Sequence, residues 1–307
     1  MTIASIDVGS NSVLLLIAKV NPDEKSIIAS KTYYETPRIS EGVSLTGFIS
    51  SKRQNLLFNV LDRYNDLISE HNVEKVLVTA TKAFRVAKNA ELITSLIYDR
   101  YGWNANIISG EDEARLTFLG TAYPLNDENQ QHGVIDIGGG STEIVIGTKN
   151  NFSFKKSFNI GVVSITEQFL HSNPPTKTEL TDAGNYIDEV LTEIANQSKE
   201  TIKFNAVAGT PTTLACIQNG TRIFVEELID DTSLLLNDIR KIKDDLASKD
   251  SKKIMEDYGK VVDGREDVLL AGTLILERIL LKLQIDRITV STKGLRFGVV
   301  YDFLKWL

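Results

Sequence analysis

One short pattern occurs twice in this chain. Ile6-Asp7-Val8-Gly9-Ser10-Asn11-Ser12, near the start, is echoed by Ile135-Asp136-Ile137-Gly138-Gly139-Gly140-Ser141. The copies lie roughly 130 residues apart, the size of one domain. Ile, Asp, Gly and Ser coincide. Each copy sits between two apolar, β-rich runs: residues 3–8 and 12–20 in the first case, 133–137 and 143–148 in the second. Repetition at domain spacing constrains the fold more than any single propensity does. It predicts two domains of the same topology, each bringing an Asp-x-Gly hairpin to a pseudo-twofold cleft. A length of 307 residues agrees with two domains.

Between the hairpins, strand-like and helix-like runs alternate, so the class is α/β. Apolar spacing at Leu56, Leu57, Val60, Leu61, Tyr64, Leu67 and Ile68 predicts a helix over 52–70. Strands are expected at 30–34, 76–79, 106–108, 204–208 and 287–291, and helices at 90–101, 112–123 and 233–247. Thr176-Lys177-Thr178-Glu179 reads as a capping box opening a helix that runs to about residue 199. Residues 268–283 are apolar nearly all round and should lie between layers. The polar stretch from Pro124 to His132 is a domain boundary or a long surface turn. The division expected is 1–124 and 125–294, with a closing helix at 295–307 packing back on the first domain.

Composition closes off several classes of function. Apolar residues are 42% and charged residues 24%, ordinary for a soluble globular chain. The longest apolar run, Val13 to Ala18, is strand length, so no membrane partner is expected. Met1-Thr2-Ile3-Ala4-Ser5-Ile6-Asp7 lacks the basic start of a signal peptide. A single cysteine, Cys216, excludes an intrachain disulfide and points to a reducing cytoplasm. His71, His132 and His171 show no metal-ligand spacing, which argues against zinc. A net charge of −7 argues against DNA as a partner, but permits an anion held by local cations and amides.

The repeated motif carries phosphate chemistry. Glycines let backbone N–H groups approach an anion with no Cβ in the way, and successive N–H groups form a phosphate-sized concavity. Ser10, Asn11, Ser12, Ser141 and Thr142 add polar side chains. Asp136 and Glu143 flank the second loop, and hard oxygen ligands of this kind suit Mg²⁺ bridged to substrate phosphate. In Gly110-Glu111-Asp112-Glu113-Ala114-Arg115, three acids open a helix. Glu111 and Asp112 read as dipole partners. A third acid can turn inward, where neighbouring carboxylates raise its pKa and make it a general base. Arg85, in a weakly polar segment, either grips phosphate in a bidentate fork or pairs with an acid. Gly209-Thr210 begins another strand–helix junction able to receive an anion.

Taken in order, Asp7-Val8-Gly9-Ser10-Asn11-Ser12, Thr79 to Arg85, Gly110-Glu111-Asp112-Glu113-Ala114-Arg115 and Asp136-Ile137-Gly138-Gly139-Gly140-Ser141-Thr142-Glu143 resemble the exopolyphosphatase / guanosine pentaphosphate phosphatase (Ppx/GppA) family. Gly209-Thr210, Arg265-Glu266-Asp267 and Ser291 to Gly298 fit as well, so the likeness spans nearly the whole chain. The resemblance implies two actin-like (ribonuclease H-like) domains with a cleft between them, in a short form without an extra C-terminal helical domain. It places Glu113 as the base that activates water and Glu143 as the second essential carboxylate. Asp7, Asp136 and Glu143 would hold Mg²⁺. Ser10, Asn11, Arg85, Gly138, Gly139, Gly140, Ser141, Gly209 and Thr210 would bind phosphates. Two departures stand out: Phe297 replaces a frequent Glu, and Pro211 is unusual in its turn.

The activity implied is hydrolysis of a terminal phosphoanhydride in polyphosphate or guanosine pentaphosphate, in a cytoplasmic enzyme that can be a homodimer. Two other classes stay open on residues alone. One is an ATP-dependent kinase or ATPase of the same fold group. The other is a non-catalytic sensor of alarmone or polyphosphate.

Overall fold

The structure, a computed structural model, describes residues 1–122, 130–195, 197 and 202–307. The chain divides into two compact units: Met1–Asn126 with Lys293–Leu307, and Asp127–Thr292.

In the first unit, β1 (Thr2–Val8), β2 (Val13–Asn21) and β3 (Ser26–Glu35) form an antiparallel meander, and β4 (Lys75–Ala80) and β5 (Ala105–Ile107) add parallel strands. The sheet order is β3-β2-β1-β4-β5. The helices are α1 (Val43–Thr46), α2 (Ser51–Glu70), α3 (Lys82–Val86), α4 (Ala90–Tyr101), α5 (Gly110–Ala122) and, from the chain end, α13 (Leu295–Leu304). Strand alternation sends side chains into two cores. Ala4, Ile6, Val8, Val13, Leu15 and Ile17 face the core containing Leu57, Leu61 and Tyr64 of α2. Ile3, Leu16, Ala18 and Val20 face Leu119 of α5 and Phe297, Val300 and Leu304 of α13. Helices α5 and α13 meet without room for a side chain: a Cβ on Gly298 would fall 1.7 Å from the Leu116 carbonyl oxygen, and one on Gly120 2.2 Å from that of Gly294. Phe297 is therefore a core residue.

In the second unit, β6 (His132–Ile137), β7 (Thr142–Gly147) and β8 (Phe152–Phe158) are antiparallel. Strands β9 (Lys203–Val207) and β11 (Arg287–Val290) run parallel to β6. Strand β10 (Ser233–Leu235) closes the far edge antiparallel to β11. The order is β10-β11-β9-β6-β7-β8. Read from β8, this repeats the order and strand directions of the first sheet with one strand appended, so the sequence repeat is a repeat of topology. The helices are α6 (Val162–Phe169), α7 (Lys177–Val190), α8 (Gly209–Gln218), α9 (Glu226–Ile229), α10 (Leu236–Ala247), α11 (Ser251–Tyr258) and α12 (Leu269–Leu283). Helix α12 is buried as its composition predicts. Its one buried acid, Glu277, is neutralised by Arg240 at 3.1 Å and Lys243 at 2.9 Å.

Several elements depart from the sequence expectation. Strand β8 and helix α6 were not anticipated. Residues 233–235 are strand, because they pair with β11 before α10 begins. The capping box at Thr176 is present, but α7 ends at Val190 and passes into a 3₁₀ turn at Thr192–Ile194. His132 belongs to β6 and is buried, and residues 124–129 of the expected polar stretch lie outside the described residues. Among the described residues, no helix is long and apolar enough to cross a membrane.

Candidate active site

The two repeated turns have the same backbone geometry. Gly9 N–H donates to the Ser12 carbonyl at 3.0 Å, and Gly138 N–H to that of Ser141 at 2.9 Å. A Cβ on Gly9 would lie 2.9 Å from the Ser12 oxygen, and one on Gly138 3.0 Å from the Ser141 oxygen, which is why both turns need glycine there. A following segment ties down the loop carbonyls in each unit. Ser40 and Arg38 N–H groups donate to Ser10 and Asn11 carbonyls at 2.9 and 3.0 Å, and Val162 and Val163, opening α6, donate to Gly138 and Gly139 at 3.0 and 2.8 Å. The loop carbonyls are thus engaged from behind. Among the described residues, the N–H groups of Gly139, Gly140 and Ser141 make no backbone hydrogen bond. Gly161 makes the docking of α6 possible, since a Cβ there would fall 2.5 Å from the carbonyl of Gly139. Ser10 Oγ and Asn11 Oδ1 are buried and have no hydrogen-bond partner among the described residues.

Side chains differ between the turns. Asp136 stands directly across the ladder from Glu143. Glu143 is buried, and its Oε1 accepts a hydrogen bond from Ser157 Oγ on β8 at 2.6 Å. In the first unit, Asp7 stands across from Leu14. The second carboxylate of the pair is missing there.

The first unit brings its acid from α5. Ser109 caps this helix: its Oγ accepts from Asp112 N–H at 3.0 Å and donates to Asp112 Oδ2 at 2.7 Å. Glu111 and Asp112 are exposed, whereas Glu113, a residue further round the turn, is only 8% exposed. Arg85, in the last turn of α3, donates from Nη1 to Glu113 Oε2 at 2.6 Å and to the Ile108 carbonyl at 3.1 Å. Burial pushes the Glu113 carboxyl above the usual carboxylate range, and the Arg85 charge, Lys82 and a hydrogen bond from Thr81 pull it back only in part. The inward acid of the triplet is therefore Glu113, and Arg85 pairs with it in this state.

These features share one edge of the first sheet. Asp7 is level with Thr79 in the parallel pair β1–β4. Thr81 N–H donates to the Val8 carbonyl at 3.2 Å, and Ile108 N–H to that of Ala80 at 3.1 Å. The β1–β2 turn and the starts of α3 and α5 thus lie at the carboxyl ends of β1, β4 and β5, where open α/β sheets bind ligands.

The corresponding junction in the second unit, β9 to α8, holds Ala208 at φ 73° and ψ −168°, a region otherwise left to glycine. The Arg265 guanidinium lies across Gly209, where a Cβ would fall 1.4 Å from Nη1. Thr210 is buried against α12, its Oγ1 2.1 Å from where a Cβ on Gly272 would stand, so its hydroxyl packs into the core. Sequence reasoning missed Ser157, Gly161 and Thr81. Ser157 and Gly161 belong to the unanticipated β8–α6 segment, and nothing local marks them. Thr81 lies in a motif read only for its arginine.

No group of three or more His, Cys, Asp or Glu able to hold a metal stands together among the described residues. What is present is the Asp136–Glu143 pair, a donor set that fits Mg²⁺, which takes one or two carboxylates and completes its shell with water and phosphate oxygens.

Comparison with known proteins agrees with this fold. The duplicated α/β topology is that of the actin-like fold. The model of the Ppx/GppA phosphatase family matches residues 16–306, and the chain belongs to that family. It is 33% identical to the crystal structure of the Aquifex aeolicus family member, with a TM-score of 0.81, covering 100% of this chain and 98% of that one. It is 29% identical over 314 residues to Exopolyphosphatase 2 of Mycobacterium tuberculosis, covering 97% of each. It is 31% identical to a bifunctional 3-dehydroquinate synthase/phosphatase of Fusobacterium nucleatum, covering 97% of this chain and 46% of the relative. The chain thus spans about half the length of that protein.

Proposed function

We propose that the protein hydrolyses the terminal phosphoanhydride bond of a polyphosphate end, either inorganic polyphosphate or the triphosphate arm of guanosine pentaphosphate. The observation that carries the reading is Glu113: a buried carboxyl of raised proton affinity, bonded to a guanidinium, at the ligand-binding edge of its sheet. Family membership and the end-to-end likeness to an exopolyphosphatase support it.

Each group then has a task. The N–H groups of Gly139, Gly140 and Ser141 receive phosphate oxygens in the second unit, and Ser10 and Asn11 do so in the first. Arg85 grips the terminal phosphoryl group. Glu113 takes a proton from water as the water oxygen bonds to the end phosphorus, and the bridging P–O bond breaks with its electrons leaving on the shortened chain. Asp136 and Glu143 would hold Mg²⁺, which supplies charge neutralisation on the phosphoryl oxygens when bound. Ser157 fixes the Glu143 carboxylate for that purpose. Positioning and electrostatics provide most of the rate in such transfers.

The test is phosphate release from polyphosphate, guanosine pentaphosphate and ATP, measured side by side with Mg²⁺ and with EDTA. Release from one of the first two, abolished by EDTA and restored by Mg²⁺, is expected. Turnover of ATP alone, or full activity in the chelator, contradicts the reading.

A further inference from the structure

Arg85 has two usable edges, and only one is spent. Nη1 is bonded to Glu113 Oε2 at 2.6 Å and to the Ile108 carbonyl at 3.1 Å. No hydrogen bond from Nε or Nη2 is formed among the described residues, and neither nitrogen is buried away from solvent. A guanidinium is rigid and planar, with its five N–H donors in fixed directions. One corner is therefore anchored to the backbone of β5's exit and to the acid. The Nε/Nη2 edge presents the two parallel donors that a phosphate accepts bidentately.

We infer that Arg85 bridges the base and the substrate: its Nη1 corner positions the Glu113 carboxylate while its Nε/Nη2 edge holds the terminal phosphate. The inference rests on the reading of Glu113 as the base. It makes Arg85 a positioning residue for Glu113 as well as a ligand, so the planar fork sets the distance between base and phosphorus. Lysine keeps the charge but offers a single point, which cannot hold two anions in a fixed relation. Burial adds to the case. The Arg85 and Glu113 side chains are only 18% and 11% exposed, so neither is free to reorient in solvent.

Steady-state kinetics and inorganic phosphate binding on Arg85→Lys, Glu113→Gln and the double variant test this. Arg85→Lys should lower kcat roughly tenfold to a hundredfold besides raising KM, because the base is no longer aligned. In the Arg85→Lys background, Glu113→Gln should cost much less kcat than it does alone, the non-additivity of residues acting as one unit. Glu113→Gln alone should still bind inorganic phosphate within about threefold of wild type, since the free edge of Arg85 is untouched. Should Arg85→Lys fold poorly, Arg85→Ala with added guanidinium ion gives a second readout: kcat should recover with guanidinium and not with methylammonium. Arg85→Lys that changes KM alone, with kcat effects of the two positions additive, overturns the bridge while leaving the base in place. Normal kcat in Glu113→Gln instead overturns the base reading, and the bridge with it.

Discussion

The β1–β2 turn and the β6–β7 turn are one backbone design carrying two sets of side chains. Both close a glycine N–H onto a carbonyl three residues on, at 3.0 and 2.9 Å, and both follow an aspartate at the end of a strand. The ladders make the difference plain. Asp136 faces Glu143, whereas Asp7 faces Leu14. The unit with a carboxylate pair in its hairpin has the donors a metal ion wants. The unit without one has a buried acid on a separate helix, α5, beside an arginine. A duplicated scaffold thus keeps the glycine turn in both copies and gives each a different set of acids around it.

The largest expected effects fall on the acids that distinguish the copies. Glu113→Gln should lower kcat about 10²–10⁴-fold with little change in KM, the usual worth of a general base. Glu143→Gln should lower kcat to a similar order and also weaken the dependence on Mg²⁺. Between the repeated aspartates, Asp136→Asn should cost more activity than Asp7→Asn, because only Asp136 has a carboxylate across the ladder. Phosphate release across a Mg²⁺ titration reads all four variants. Equal losses at Asp7 and Asp136, with the same shift in Mg²⁺ dependence, would erase the distinction.

A middle-sized effect concerns how each turn is buttressed. In the second unit the loop rests on Gly161, where a Cβ would stand 2.5 Å from the backbone of Gly139. The first unit has Arg38 to Ser40 in that supporting role and no such glycine contact. Gly161→Ala should destabilise by about 1–3 kcal/mol, as overpacking does, and should reduce activity by displacing the loop. Gly9→Ala meets only the Ser12 carbonyl oxygen, at 2.9 Å, and should cost less. Thermal unfolding of the two variants, with KM for the phosphorylated substrate, checks the order. A Gly9→Ala variant less stable than Gly161→Ala would reverse it.

How much of this was legible in the sequence depends on how local the signal is. The paired Asp-x-Gly motifs gave the duplication because a tight glycine turn between apolar strands is a local feature. The three acids of α5 marked a helix start, and even the inward one could be suspected. Its confirming cue, Ser109 capping at Asp112, was there to be read. The β8–α6 segment was not legible. Phe152-Ser153-Phe154-Lys155-Lys156-Ser157-Phe158 is an edge strand with two adjacent lysines, which spoils strict alternation. Val162-Val163-Ser164-Ile165-Thr166 is rich in β-branched residues and is helical because its first N–H groups find the loop carbonyls of Gly138 and Gly139. Arg85 was undecidable from spacing, since phosphate and carboxylate make the same demand on a guanidinium.

The smallest effect lies in the second unit away from its turn, where α7 provides a contrast in what a carboxylate is for. Glu143 is buried and bonded to Ser157 of the neighbouring strand, whereas Glu179 is only partly buried and its bonds are all local. It accepts hydrogen bonds from the N–H groups of His171, Ser172 and Thr176, at 2.9, 2.9 and 2.6 Å, and from the Thr176 hydroxyl. These donors, Thr176 first, hold its carboxyl down to about 2 against an ordinary 4.5. The sign follows. A carboxyl depressed in the folded state contributes stability that is fully present above its unfolded value and is lost as pH falls toward the folded one. The amides of His171, Ser172 and Thr176, which lead into the first turn of α7, should therefore lose hydrogen-exchange protection progressively between pH 4.5 and 2. Glu179→Gln should show reduced protection at neutral pH and no further titration there, while phosphate release at neutral pH stays at the wild-type rate. If protection at this turn were flat through that window in the wild type, the hydrogen bonds to Glu179 would not be holding the helix end. If the variant lost activity, α7 could no longer serve as the purely structural member of the comparison.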